Sequence, residues 1–163
     1  MLLGTGESAV TFSPCALIPS HDHFHALPTI VARLTGLGLP VIVVDDGSGP
    51  EAARAIAVLN DPIQGVSVLR RPENGGKGAA VVDGFRLAAA AGYTHVVQVD
   101  ADGQHDLDAL MELLTQARAN PDALVSGAPV YDASVPRARK IGRWATHLWV
   151  FVETLSLRIT DSM

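Results

Sequence analysis

Five short apolar runs, separated by segments of helix length, limit the folds open to this 163-residue chain. The runs are rich in β-branched residues, which predicts strands over residues 15–19, 41–44, 66–69, 95–99 and 123–126. The periodicity between them predicts helices over residues 24–37, 50–59, 79–91 and 106–119. Strands that alternate with helices in this way predict an α/β fold with a parallel, doubly wound sheet.

Composition narrows the class of protein. Hydrophobic residues make up 48% of the chain and charged residues 18%, which excludes a disordered chain. The formal net charge of -5 provides no basic surface, so we expect no nucleic-acid partner. The only cysteine, Cys15, lies in an apolar run and fits a reducing cytoplasm. We expect neither a signal peptide nor a membrane-spanning helix.

Two carboxylates one residue apart follow the fourth strand, in the sequence Asp100-Ala101-Asp102-Gly103-Gln104. Neighbouring carboxylates repel unless a cation lies between them, and Mg²⁺ or Mn²⁺ takes oxygen ligands that it shares with phosphates. Asp100, Asp102 and Gln104 are therefore candidate metal ligands at the edge where open α/β sheets bind their ligands. An EF-hand is excluded, because a histidine and a methionine stand where its glycine and glutamate belong. A solvated turn with helix-capping aspartates is the structural alternative.

Polar residues also follow the second and third strands. Asp46 stands where nucleotide-binding folds commonly place a ribose or base contact, although turn chemistry alone would explain the Asp-Gly-Ser sequence. Asn74 and Lys77 belong to a glycine-rich loop that lacks the P-loop spacing but permits close approach to a nucleotide. Whether Lys77 contacts the ligand or solvent stays open. Parallel strands would bring Asp46, Asn74 and Asp102 to one crevice.

Two further clusters allow two interpretations each. His21, His23 and His25 have no accompanying zinc motif, so loop histidines that line the crevice are favoured over a zinc site. Residues 137–158 combine a basic start with aromatic residues. This pattern fits a helix at a membrane interface and equally a helix that covers the sheet.

Four motifs together resemble the family 2 glycosyltransferases: Ile18-Pro19, the segment 43–48, the segment 74–78 and the segment 99–104. The nearest subgroup is the dolichyl- or polyprenyl-phosphate mannose synthase-like enzymes, whose metal motif also reads Asp-Ala-Asp-Gly-Gln. The resemblance implies the Rossmann-like GT-A fold, a mostly parallel sheet sandwiched by helices. It implies a single domain with a nucleotide-sugar half over residues 14–128 and the start of an acceptor half over 129–163.

The resemblance also implies roles for particular residues. Asp100, Asp102 and Gln104 would hold Mg²⁺ or Mn²⁺ against the diphosphate of a UDP- or GDP-linked sugar. The metal would neutralise charge on the departing nucleoside diphosphate during inverting transfer of the sugar. Pro19 and Asp46 would contact the nucleoside, and the backbone of Ala101 would lie beside the ribose. The residues predicted to bind the donor are Pro19, His21, His23, Asp46, Asn74, Lys77, Asp100 and Ala101.

The sequence departs from the family pattern at two places. His21-Asp22-His23 replaces the usual Tyr-Asn-Glu, so the nucleotide base cannot be carried over. Gly127-Ala128-Pro129 replaces Gly-Ser-Arg, which weakens the expectation of a polyprenyl-phosphate acceptor. A lipid phosphate or a glycan is expected as acceptor, and Arg143 could meet an anionic one. The enzyme is expected in the cytoplasm, with peripheral membrane contact through residues 137–158.

The last residues, Thr160-Asp161-Ser162-Met163, resemble the start of a family segment that continues into Gly-Phe-Arg. We therefore expect a truncated chain that binds nucleotide better than it transfers sugar. Asp161 is a candidate base or supporting carboxylate, and Arg143 is a second candidate catalytic residue. A sugar-phosphate nucleotidyltransferase and a catalytically silent nucleotide-binding module are the alternatives.

Overall fold

The computed structural model describes residues 11–103 and 109–127. The predicted metal ligand Gln104, the predicted catalytic residues Arg143 and Asp161, and the segment 137–158 lie outside the described residues. The chain divides into two units, Met1–Leu124 and Val125–Met163, and every helix and strand described below belongs to the first. The predicted boundary between residues 128 and 129 stays a prediction.

Four parallel strands form one sheet in the order β3-β2-β1-β4. The strands are β1 (Pro14–Ser20), β2 (Val41–Asp45), β3 (Val66–Arg70) and β4 (His95–Gln98). Between and after them lie α1 (Leu27–Gly36), α2 (Pro50–Ala57), α3 (Lys77–Ala90) and α4 (Leu110–Ala119), with a short 3-10 helix at Pro62–Gln64. The predicted α/β class with a parallel sheet is confirmed.

The strand order reverses direction beside β1. The chain proceeds outward from β1 to β3 and then returns to add β4 on the other side of β1. A reversal of this kind opens a crevice at the carboxyl ends of the two strands beside it, because their following loops diverge to opposite sides. The fold therefore places a ligand crevice at the ends of β1 and β4.

Alternate residues of the strands pack on opposite faces of the sheet. Ala16 and Ile18 face one core, which contains the buried residues of α1 together with Ile56 and Leu110 from α2 and α4. Cys15 and Leu17 face the other core, which contains the small residues of α3. Both faces of β1 are thus buried, which explains why its sequence is apolar throughout rather than alternating.

Glycine lets α3 lie close against β1. Gly84 is buried in the face of α3 that packs on the sheet, and a Cβ atom there would overlap the side chain of Leu17. Leu17 is itself fully buried, so it has little room to move aside. This contact determines how closely α3 packs against the sheet. It thereby also determines the position of Lys77, the first residue of the helix.

The predicted fifth strand, residues 123–126, is wrong. Residues 121–127 form a turn and irregular chain, in which the Ala123 N–H donates to the carbonyl oxygen of Asn120 at 3.0 Å. Leu124 is 97% exposed, so its apolar side chain has no sheet to pack against here. The apolar pattern was too short to distinguish a strand from a loop.

The predicted helix boundaries shift by up to four residues. Helix α1 begins at Leu27 rather than at residue 24, with Pro28 in its first turn, where a missing N–H costs little. Within residues 11–103 and 109–127, no helix has the length and hydropathy needed to cross a bilayer.

Substitution of Gly84 tests the contact between α3 and β1. Gly84→Ala should be about 1–3 kcal/mol less stable than Gly78→Ala, because a methyl group at residue 84 overpacks the core. Gly78 is the matched control, since it lies in the same helix and a Cβ there meets nothing within 4 Å. Urea unfolding of both variants measures the difference, and equal stabilities would contradict the close packing.

The buried thiol of Cys15 provides a second test of the fold. Burial raises the pKa of Cys15 to about 11, so at neutral pH the side chain is a protonated thiol rather than the reactive thiolate. An aromatic disulfide reagent should therefore label the native protein only slowly and should label one thiol per chain after unfolding in urea. Rapid labelling of the native protein would show that β1 is accessible to solvent.

Candidate functional site

A cleft of about 440 Å³ lies at the carboxyl edge of the sheet. It is lined by the loops that follow all four strands and by the start of α3. The structure brings together in it most of the residues singled out from the sequence: Pro19, His21, His23, Asp46, Asn74, Lys77, Asp100, Ala101 and Asp102. Gly76, from the predicted glycine-rich loop, also lines the cleft. Ser20 and Ala80 line it too and were missed, because such small residues carry no chemical signal in a sequence.

Asp46 is the most constrained side chain of the cleft. Only 2% of the residue is exposed, and its Oδ1 accepts hydrogen bonds from the Arg71 guanidinium and from the Gly75 N–H, the latter at 3.0 Å. A Cβ atom on Gly75 would overlap the guanidinium of Arg71, so glycine is needed for both groups to reach the same carboxylate. The carboxylate therefore has a fixed position at the cleft.

The ionisation of Asp46 follows from these contacts. Burial raises the pKa of the carboxyl, but the Gly75 hydrogen bond and the hydrogen bond and charge of Arg71 outweigh burial, so the pKa is lowered. Arg71 responds in the opposite direction. Its pKa is raised, first by the hydrogen bond to Asp46 and further by Asp83. At neutral pH Asp46 is thus a carboxylate that can only accept hydrogen bonds.

Arg71 connects the cleft to α3, and its role was missed in the sequence. Its Nε donates to Oδ2 of Asp83 at 2.9 Å while its Nη1 donates to Asp46. The strand register could have revealed the pairing, because Asp45 lies opposite Arg70 and the next residues along both chains are therefore neighbours. The register can be used only once β2 and β3 are known to be neighbours. The alternation of strands and helices in the sequence does not reveal which strands are neighbours.

The loops after β2 and β3 meet through their backbones. Gly47 has φ +67°, and a Cβ atom there would overlap the backbone of Glu73 and Asn74. Asn74 lines the cleft, but its Oδ1 accepts the Gly76 N–H at 2.8 Å and so closes its own loop. The Asp-Gly-Ser turn therefore shapes the cleft, whatever Asp46 binds.

The loop after β1 is tied to the loop after β2. The Asp22 N–H donates to Ser48 Oγ at 2.9 Å, and Asp22 Oδ1 accepts the Gly49 N–H at 2.8 Å. These bonds hold Asp22 at φ +58°, a left-handed conformation that aspartate tolerates better than most residues. His21 donates from Nδ1 to the carbonyl oxygen of Asp46 at 2.9 Å, which places its ring at the cleft.

The two carboxylates after β4 lie on the same cleft. Asp100 Oδ1 is 2.6 Å from the ammonium nitrogen of Lys77, so Lys77 lies at the cleft rather than in open solvent. Asp102 also lines a second cavity of about 280 Å³ beside Thr29 and Arg33 of α1. Among the described residues, no group of three His, Cys, Asp or Glu side chains is placed to hold a metal. The metal-ligand roles of Asp100 and Asp102 stay predictions.

The chain matches the family model described as glycosyl transferase family 2 over residues 15–161. The chain belongs to this family. Membership in glycosyl transferase family 2 agrees with the resemblance found in the four motifs and favours glycosyl transfer over the nucleotidyl transfer that the sequence left open.

Two curated relatives are each 34% identical to this family 2 chain. Polyprenol monophosphomannose synthase of Mycolicibacterium smegmatis aligns over 81% of the chain and 52% of its own length. Undecaprenyl-phosphate mannosyltransferase of Micrococcus luteus aligns over 89% of the chain and 61% of its own length. The chain thus spans between half and two thirds of the length of these two relatives.

The lowered pKa of Asp46 predicts a stability that depends on pH. The native carboxyl binds its proton less readily than the unfolded one, whose pKa is near 3.8. The stabilisation by Asp46 should therefore be complete above about pH 5 and should be lost as the pH falls through 3.8 toward the native pKa.

Urea unfolding of the wild type and Asp46→Asn at several pH values measures this effect. The stability difference between the two proteins should be largest near neutral pH and should shrink in acid. Asp122→Asn, which removes an exposed carboxylate outside the cleft lining, is the control. A difference that stays constant down to acidic pH would contradict the ionised pair with Arg71.

Proposed function

We propose that this chain forms the nucleotide-sugar half of a metal-dependent, inverting glycosyltransferase. The observation that carries the proposal is that one cleft is shared by Asp46 and by the carboxylates Asp100 and Asp102, which follow the two strands on either side of β1. Neighbouring strands lie nearly 5 Å apart, so the ends of β2 and β4, from which these loops start, are separated by about 10 Å. This separation suits a ligand with a base at one end and a diphosphate at the other.

Asp46 would recognise the nucleoside. As a carboxylate held by Arg71 and Gly75, it can accept an N–H of the base or a hydroxyl of the ribose but cannot donate. Pro19, near the end of β1, and His21, just after it, line the same cleft and would form the adjoining wall. Uracil and guanine both present N–H donors, so this carboxylate is compatible with either UDP or GDP.

Asp100 and Asp102 fit a divalent cation. Both line the cleft, and Asp100 already places its oxygen 2.6 Å from a positively charged group, the ammonium of Lys77. Two carboxylates that share Mg²⁺ or Mn²⁺ with substrate phosphates are a common arrangement, and Gln104 is the third proposed ligand. The bound metal would act as a Lewis acid that neutralises charge on the departing nucleoside diphosphate. Lys77 would add a second positive charge beside the same phosphates.

The acceptor is proposed from the two relatives, whose names specify a polyprenol and an undecaprenyl phosphate. We propose a lipid-linked phosphate as acceptor, with mannose as the sugar. Arg143 and the segment 137–158 would then lie near the anionic lipid at the cytoplasmic face of the membrane. Because a phosphate oxygen is already a nucleophile, Asp161 would not be required as a base.

Calorimetric titration of the chain with UDP and with GDP, each with and without Mn²⁺, tests the proposal. One of the two nucleotides should bind, and Mn²⁺ should strengthen its binding about tenfold, which lies within the usual range of coupling between two ligands. Asp102→Asn should remove the effect of the metal, because it replaces a charged ligand by a neutral amide of the same shape. Asp122→Asn, at another exposed aspartate, should leave it unchanged.

Two results would contradict the proposal. Absence of binding by both nucleotides would exclude a donor site in this chain. Binding that Mn²⁺ does not affect would exclude the role of Asp100 and Asp102. If the nucleotide binds and labelled mannose is not transferred to polyprenyl phosphate, the chain acts as a nucleotide-binding module, and only the transfer step is excluded.

A further inference from the structure

We propose that Asp83 of α3 is a positioning residue for nucleotide recognition, although it does not line the cleft. It would act through Arg71, whose guanidinium it holds in the orientation that fixes Asp46. The inference rests on the proposed function, because it assumes that Asp46 contacts the nucleoside. It adds a residue on a helix outside the cleft to the determinants of nucleotide affinity.

The geometry of Arg71 carries the argument. Its Nε donates to Asp83 at 2.9 Å, and its Nη1 donates to Asp46. A guanidinium is planar and rigid, so two carboxylates bound at different nitrogens determine both its place and its tilt. The side chain of Arg71 is 19% exposed. Its guanidinium occupies the space that a side chain on Gly75 would fill. Without Asp83, one of its two anchors is lost.

Asp83 is itself held in place. Its Oδ1 accepts a hydrogen bond from Arg86 at 3.0 Å, while its Oδ2 accepts the hydrogen bond from Arg71. The side chain of Arg86 is 76% exposed and lies three residues along the same helix, so this pair resembles an ordinary solvent-exposed helix pair. The bond to Arg71 differs because it connects α3 to the loop after β3.

Simple electrostatics and positioning predict opposite results when Asp83 is removed. A nucleoside diphosphate is an anion, so removal of a nearby negative charge should strengthen its binding if charge alone mattered. If Asp83 positions Arg71 and Asp46, its removal should weaken binding, because the carboxylate would no longer be held toward the nucleoside. The sign of the effect therefore distinguishes the two roles.

Titration of the full chain with UDP or GDP, whichever the wild type binds, provides the test. Asp83→Ala should weaken binding about tenfold, the lower end of the effect seen when residues that orient ligating groups are removed. Asp83→Asn keeps an oxygen acceptor for Arg71 and should restore most of the affinity. Arg86→Ala, which removes only the exposed partner, should match the wild type.

Unchanged or tighter binding by Asp83→Ala would overturn the inference while leaving the proposed function intact. Absence of binding by the wild type would overturn both. If Asp83→Ala does not fold, Asp83→Ser decides, because serine keeps a polar side chain on α3 but lacks both the charge and the length with which the carboxylate reaches Arg71. A loss of about tenfold in that variant supports the inference, and wild-type affinity overturns it.

Discussion

The shape of the cleft depends on the buried ion pair between Asp46 and Arg71. A carboxylate this deeply buried is unfavourable by itself, and the guanidinium together with the Gly75 N–H compensates for the lost hydration. The same pair joins the loops after β2 and β3, which also touch through their backbones at Gly47. Local structure, charge and shape of the site are therefore established by one set of contacts.

Much of the cleft was predictable from the sequence because parallel strands present their carboxyl ends at one edge. Asp46, Asn74 and Asp102 each come after an apolar run, and the structure places all three on the same cleft. Arg71 and Asp83 could not be predicted in this way. Their pairing depends on which strands are neighbours and on the depth of α3, and both are properties of tertiary packing.

The two ends of the cleft differ in how tightly their side chains are held. Asp46 is buried and receives two donors, whereas Lys77 and Asp100 form a partly exposed pair at the start of α3. A rigid carboxylate suits selection among bases, because an incorrect base would bring no further donor to it from the cleft. A more exposed pair of opposite charges suits an exchange of partners when a metal and phosphates arrive.

The central claim is that one nucleotide occupies the edge of the sheet from Asp46 to Asp102. The most direct measurement is a titration of the ¹⁵N-labelled chain with nucleotide and Mg²⁺, followed by the backbone amide signals. The account predicts that the signals of Gly75, Gly76 and Ala101, which belong to the loops after β3 and β4, shift together with one affinity. Shifts confined to residues outside the cleft, such as those of α4, would contradict it.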